Sequence, residues 1–236
     1  MSIVDSLKQR KGLAVHLRRL VVDSPGSVGA RARSRRWGTI RALFPDIEGM
    51  SVVDLGGTVD SWRRAPVRPA RVTVINLLEP GESDDPALIP VLGDACSARE
   101  VLATAGASSQ FDLVFSNSLI EHVGGHAKRA ELANEVRALA PRHWVQTPYR
   151  YFPIEPHWLF PMMQFLPINA RVSVANRWPL AHSRPASRAQ AAQEVMWTEL
   201  IGIAELQSIF PDSTIVRERL AGVTKSISAT LSAPGQ

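Results

Sequence analysis

The chain has 236 residues, enough for one generous domain with a real core, and its 45% hydrophobic and 21% charged residues exclude both a disordered chain and a membrane-embedded one. Net charge is +5, carried almost wholly by arginine, since lysine stands only at positions 8, 11, 128 and 225; the single cysteine, Cys96, rules out an internal disulfide framework. The longest aromatic-apolar run, "HWLFPMMQFLPI" at 157–168, is too short and too proline-broken to span a bilayer, and "MSIVDSLKQRKG" lacks the apolar stretch of a secretory signal, so a cytoplasmic protein is expected.

Residues 1–45 read as a basic helical arm or cap. Leu13, Leu17 and Leu20 recur at helical period, and "GARARSRRWGTIR" (29–41) concentrates the positive charge. Such an arm can bind phosphates, but no aromatic side chains interleave with it as in nucleic-acid sites, so a solvated helix is favoured and nucleic acid is not an expected partner.

From residue 51 the pattern changes. "SVVDLGG" (51–57), "ARVTVINLL" (70–78), "LIPVLGDA" (88–95), "FDLVFSNS" (111–118) and "HWVQTP" (143–148) read as five buried strands. Helices are expected at 60–66, 97–106 and 126–140, the last with Leu132, Val136 and Leu139 on one face. Apolar strands alternating with helices mean a parallel sheet covered on both faces. A proline-rich insertion follows at 149–195, then a helix at 197–210, then "STIVRERL" and "TKSISATLSA", joined by the tight "AG" at 221–222 as a closing hairpin. The expected whole is an α/β sandwich of seven mostly parallel strands with an antiparallel last strand, occupying 46–236.

Open sheets of this kind bind ligands beyond the carboxyl ends of their strands. Four strand ends carry suitable groups, spaced by roughly 20 residues. "DLGGT" (54–58) offers glycines for close approach and a carboxylate. Asn76 can meet ribose hydroxyls, "GDA" (93–95) can meet an adenine amine, and "SNSLIEH" (116–122) ends the fourth strand. A dehydrogenase of the same architecture would need G-x-G-x-x-G after the first strand, and "GGTVDS" does not supply it.

On these four stretches the chain resembles the class I S-adenosylmethionine-dependent methyltransferases, within them the broad type-11 group, over roughly residues 50–148. "VVDLGGT" is similar to their glycine-rich motif, "VINLLEP" to the second, "LGDA" to the adenine loop and "FDLVFSNSLIEHV" to the fourth motif. The resemblance implies S-adenosylmethionine as cofactor, held by Asp54, Gly56, Gly57 and Thr58, then Asn76 and Leu77, then Asp94 and Ala95, then Ser116 and Asn117. Two departures stand out: Thr58 and Asp60 replace further glycines, and Asn76 replaces the usual ribose-binding acid.

Transfer to oxygen needs a base near the sulfur or a metal that acidifies the hydroxyl. His122, with Glu121 behind it as orienter, and His157 are the candidate catalytic groups; the alternative for His122 is a structural residue at a helix start. "SLIEH" is also similar to a Glu-x-x-Glu-His motif of ubiquinone-pathway methyltransferases, with Ser118 in place of the first acid. That likeness implies a divalent cation such as magnesium at Glu121 and His122, completed by Glu155 or His157. His126 is expected at the surface or as a cap and His143 in packing; His16 and His182 have no assigned role.

The segment "QTPYRYFPIEPHW" (146–158) supplies the expected acceptor contacts: Gln146, Tyr149, Tyr151, Glu155 and His157. Aromatic faces beside polar groups suit a sugar or oligosaccharide hydroxyl. The segment also resembles its counterpart in bacterial methyltransferases of glycan biosynthesis; with the arginine-rich composition this points to methylated polysaccharides of the mycobacterial kind. An ordinary proline-stiffened lid over a phenolic or quinone-type small molecule is the alternative, "WLFPMMQFLP" then serving as lid core or homodimer surface. An RNA methyltransferase would show Asn/Asp-Pro-Pro-aromatic where this chain has "SNSL", and a non-catalytic binding module of the same fold is the third reading.

Overall fold

The computed structural model describes residues 27–181 and 185–232. The expected apolar face at Leu13, Leu17 and Leu20, with His16 and His182, lies outside the described residues.

Helix α1 (Val28–Leu43) starts at Ser27, whose hydroxyl accepts from the Ala30 amide. It is more than a solvated arm. Ile40 and the following Phe44 are fully buried against the sheet, and the half-buried Trp37 stacks on Phe115 with ring centroids 5.6 Å apart. Arg36, from the run read as a charged surface, makes two bonds to Glu218 at 2.5 and 2.9 Å, pinning the helix to the closing hairpin.

The sheet follows expectation. Strands β1 (Ser51–Leu55), β2 (Arg71–Asn76), β3 (Leu88–Leu92), β4 (Leu113–Asn117) and β5 (His143–Pro148) are parallel, β9 (Val223–Leu231) runs antiparallel to β5, and β8 (Thr214–Leu220) completes the order β3-β2-β1-β4-β5-β9-β8. The hairpin between β8 and β9 turns on Ala221 and Gly222, both with positive φ. Because successive residues in a strand face opposite ways, Val53, Leu55 and Ile75 join one core with α3 (Ala98–Thr104), α4 (Gly125–Leu139) and α7 (Ile203–Ile209). Val52, Val72 and Val74 join the other with α1 and α2 (Val59–Arg63). The chain moves outward in one direction from β1 to β3 and in the other from β4, so the crevice between the carboxyl ends of β1 and β4 is the topological switch point.

The insertion after β5 has its own small core of Trp158, Met163, Val172, Ala175, Ala181, Ala191 and Val195. It contains a two-residue pairing of β6 (Ile154–Glu155) with β7 (Phe160–Pro161), then α5 (Ile168–Arg177) and α6 (Arg188–Met196). Here the expected single helix at 197–210 is corrected. Helix α6 ends at Met196, residues 198–201 are not helical, and α7 begins only after Gly202. This stretch is held by long-range bonds: Ile201 bridges Tyr149, its carbonyl accepts from the Arg150 amide at 3.1 Å, and the Glu199 amide donates to the Glu121 carbonyl at 2.9 Å. Arg129, 2% exposed, locks it further by binding the Glu199 carbonyl and the carboxylates of Glu199 and Glu205. Among the described residues, no helix is long and apolar enough to cross a membrane.

Candidate active site

A cavity of about 650 Å³ opens at the switch point, within the roughly 300–1,000 Å³ usual for small-molecule sites. Gly56, Asn76, Leu77, Asp94, Ala95, His122 and His157, all anticipated from the sequence, line it. They come from four strand ends and the insertion: Gly56 after β1, Asn76 and Leu77 at the end of β2, Asp94 and Ala95 after β3, His122 after β4, and His157 from the insertion. The strand ends cluster because parallel strands place all their carboxyl termini at one edge.

The loop after β1 is shaped around Asp54. This carboxylate is 3% exposed and its Oδ2 accepts from the Trp62 indole at 2.7 Å, while Oδ1 has no partner among the described residues. Burial pushes its pKa up to about 7, opposed by the indole bond. A Cβ at residue 57 would sit 1.7 Å from Asp54 Oδ2, so Gly57 is required by the side chain behind it. Gly56 has φ +86° and packs against Leu119. Thr58 is spent on capping α2, its Oγ1 accepting from the Ser61 amide at 3.2 Å, and it does not line the cavity.

Asn76 lines the cavity, but its side chain is fully engaged by the protein. Nδ2 donates to the Gly57 carbonyl at 2.8 Å and to Gly56 at 3.3 Å; Oδ1 accepts from the amides of Leu78 and Glu79 at 3.0 and 3.2 Å. It stitches together the loops after β1 and β2, a task that needs a donor and an acceptor on one side chain. A carboxylate could make only half of these bonds, which accounts for asparagine at this position. Asp94 accepts from the Cys96 amide at 2.8 Å, holding the loop after β3.

Ser116 and Asn117 are buried or half-buried in β4 and turned to the protein: Ser116 Oγ donates to the Leu55 carbonyl, and Asn117 Oδ1 accepts from the Trp144 indole at 3.2 Å. Of the expected acceptor contacts only His157 lines the cavity. Gln146 is 1% exposed and its carbonyl accepts from the Ser118 amide; Tyr149 and Tyr151 pack together, Tyr151 also meeting Phe165. Glu155 is 2% exposed and works as a bracket: Oε2 accepts from the amides of His157 and Trp158, and Oε1 lies 2.7 Å from His157 Nδ1. Pro153 and Pro156 on either side keep this stretch from running as a helix.

The expectation that Glu121 orients His122 is therefore revised. Glu121 is fully buried, accepts from Thr147 Oγ1 at 3.0 Å and leaves Oε1 without a partner among the described residues. An unpaired buried acceptor costs roughly 1–3 kcal/mol and calls for a reason. Burial raises the Glu121 pKa, with His157 the main opposing charge. The orienting carboxylate in this group is Glu155, acting on His157. The rings of His122 and His157 meet edge to face, centroids 4.9 Å apart, and one ligand atom each from Glu121, His122 and His157 lies within 4.8 Å of the others. Burial lowers the His122 pKa to about 4, helped by the charge of His157 and opposed by a bond to the Trp197 carbonyl. Two imidazoles and one carboxylate do not make the oxygen cage that magnesium prefers, so the residues fit that ion poorly.

The sequence reading missed one whole wall. Glu194 and Trp158 of the insertion, with Trp197 and Thr198 just after it, line the cavity together with Leu77 and Leu78. Leu78 and Trp197, which line it, are 81% and 48% exposed, and Met196 beside Trp197 in sequence is 66% exposed. The aromatic content of "VMWTEL" was the available signal, hidden by reading it as the start of a helix.

No family model matches the sequence, and no curated protein matches it. Solved structures do. A magnesium protoporphyrin IX methyltransferase from Synechocystis with bound SAH superposes with a TM-score of 0.50 at 11% identity, over 91% of each chain. The fold is a methyltransferase fold. A phosphoethanolamine N-methyltransferase from Haemonchus contortus, in complex with S-adenosyl-L-methionine, gives 0.50 at 16% over 87% of this chain and 42% of its own. A possible exported protein from Bordetella parapertussis gives 0.51 at 15% over 92% and 78%. At such identities the likeness carries the methyltransferase architecture and leaves the chemistry to the residues of the cavity.

Proposed function

We propose that this protein is an S-adenosylmethionine-dependent O-methyltransferase acting on a hydroxyl of a ring-bearing small molecule, a sugar unit being the acceptor class favoured. The observation that carries the reading is the convergence of Gly56, Asn76, Asp94 and Ala95 on one cavity whose far wall is the His122–His157 cluster. In this reading the cofactor's adenosyl part lies over Leu77, Asp94 and Ala95. The glycine turn admits its amino-acid part near Asp54 Oδ1, which has no partner among the described residues and where an ammonium would stabilise the ionised carboxylate.

Methyl transfer is an in-line displacement. The acceptor oxygen forms a bond to the methyl carbon, the carbon–sulfur bond breaks with its electron pair going to sulfur, and the hydroxyl proton must leave. The protein therefore contributes positioning and a means of unloading that proton. The imidazoles of His122 and His157, with the Glu155 carboxylate on His157, are the polar groups placed for this in the cavity wall. Trp158 and Trp197 supply ring faces, with Glu194 and Thr198 beside them, a combination suited to a ring bearing hydroxyls. These four take over the part expected of Tyr149, Tyr151 and Gln146.

Labelled methyl transfer from S-adenosylmethionine to a panel of mono- and oligosaccharides, phenols, quinols and RNA tests the reading. Label on a carbohydrate is expected. Label on RNA alone would overturn the proposal, and label on phenols alone would overturn its acceptor class.

A further inference from the structure

We propose that a second, small cavity beside the main one holds a neutral hydroxyl-bearing arm of the acceptor, such as the hydroxymethyl group of a sugar ring. This cavity measures about 100 Å³ and is lined by Arg150 and Glu155 after β5, Gln164 in the short turn 163–165, Arg171 on α5, and Thr198 and Glu199. It is far smaller than the roughly 300–1,000 Å³ of a whole small-molecule site. It therefore suits a substituent and not a molecule.

Two of the lining residues carry buried polar atoms left unsatisfied, and these atoms are of opposite kinds. Gln164 Nε2 donates to the carbonyls of Arg150 and Phe152 at 2.8 and 2.9 Å. Those two bonds fix the amide, because a carbonyl oxygen in place of Nε2 would meet two acceptors. Gln164 Oε1 is thus an acceptor, with no partner among the described residues. Arg171 Nη2 donates to the Val195 and Thr198 carbonyls, each at 3.2 Å, while its buried Nε has no acceptor among the described residues. Buried polar groups left in this state call for a reason.

The chemistry of the pair selects the ligand. One hydroxyl both accepts from Arg171 Nε and donates to Gln164 Oε1. An apolar arm meets neither. A carboxylate or phosphate arm would meet the guanidinium but set a further acceptor against Gln164 Oε1. Nor does the lining draw an anion by charge, since Arg150 and Arg171 are matched by Glu155 and Glu199.

The small cavity is joined to the site already described. Thr198 lines both, and Glu155 of the small cavity brackets His157 of the large one. The inference rests on the reading of the large cavity as the acceptor site. A ring held there sends its hydroxymethyl arm past Thr198, so the arm serves as the anchor and the methyl group goes to a ring hydroxyl.

The test uses the full-length protein with and without S-adenosylhomocysteine, whose own binding is measured by calorimetry. NMR titrations compare the methyl glycosides of glucose and mannose with their 6-deoxy forms and with methyl glucuronide. The parent glycosides are expected to bind at least about 10-fold tighter than the 6-deoxy forms, because losing the arm leaves donor and acceptor unmet. The glucuronide is expected to bind more weakly than the glucoside. In Gln164→Met and in Arg171→Lys the preference for the parent should shrink to about twofold, with circular dichroism and S-adenosylhomocysteine affinity unchanged. The wild-type comparison decides the matter even where a variant does not fold. Equal binding of parent and 6-deoxy forms, tighter binding of the glucuronide, or a preference that survives both substitutions would overturn the pocket alone. No binding of any glycoside would overturn the sugar acceptor and the pocket with it. A preference for the parent glycosides without S-adenosylhomocysteine binding would overturn the methyltransferase reading alone.

Discussion

Gly57→Ala is a sharp probe of the glycine turn, because the obstacle is a single side chain. The three nearest atoms to the added Cβ all belong to Asp54, at 1.7, 2.4 and 2.9 Å. Residue 57 has no positive φ, so backbone strain is not involved. Asp54 must move, and moving it breaks the 2.7 Å bond to the Trp62 indole in a site where both partners are 2–3% exposed. Losing a buried bond of this kind costs about 1.5–3 kcal/mol, and local overpacking adds about 1–3 kcal/mol. We expect a total near 3 kcal/mol by urea denaturation. In an Asp54→Ala background the close contacts disappear and the same substitution should cost less than about 1 kcal/mol, a coupling of about 2 kcal/mol in the double-mutant cycle. Equal costs in the two backgrounds would refute the reasoning.

Asn76→Asp restores the acid usual at that position in the methyltransferases the chain resembles, yet it should do harm. The carboxylate keeps the bonds from Leu78 and Glu79 but faces the Gly56 and Gly57 carbonyls without a proton to give. A loss of about 1–3 kcal/mol in stability and about tenfold weaker S-adenosylmethionine binding are expected; tighter binding would show that Asn76 does not brace the loops. A pH effect comes from His143, which is 3% exposed and paired with Ser213 Oγ at 2.7 Å. Burial, helped by the charge of Arg137, lowers its pKa from 6.5 to about 4. Between those values the unfolded chain takes up a proton that the folded one refuses, so stability falls as pH drops. From pH 7 to 5 the loss is about 2 kcal/mol, read as the difference between wild type and His143→Gln in urea titrations. A loss that is the same in both proteins would contradict it.

The strands were legible because a parallel sheet buried on both faces writes itself as short, wholly apolar runs, and β1 to β5 fall inside the runs predicted. Their order placed Gly56, Asn76, Asp94 and His122 at one edge. What was not legible depends on contacts between residues distant in sequence. Trp197 and Thr198 reach the cavity because 198–201 abandons helix to bond Tyr149, Arg150 and Glu121. Similarly, Glu155 reads as an acceptor ligand until its carboxylate is seen to cap the amides of its own turn. Composition alone assigns Arg36 to a charged surface, and only the fold brings it to Glu218.

The central claim is that the switch-point cavity holds S-adenosylmethionine. Calorimetric titration of the full-length protein with S-adenosylhomocysteine tests it most directly. One site per chain is expected, weakened at least tenfold by Asp94→Ala and by Gly56→Val, whose side chain would meet Leu119. No heat of binding, or binding untouched by either substitution, would contradict the account.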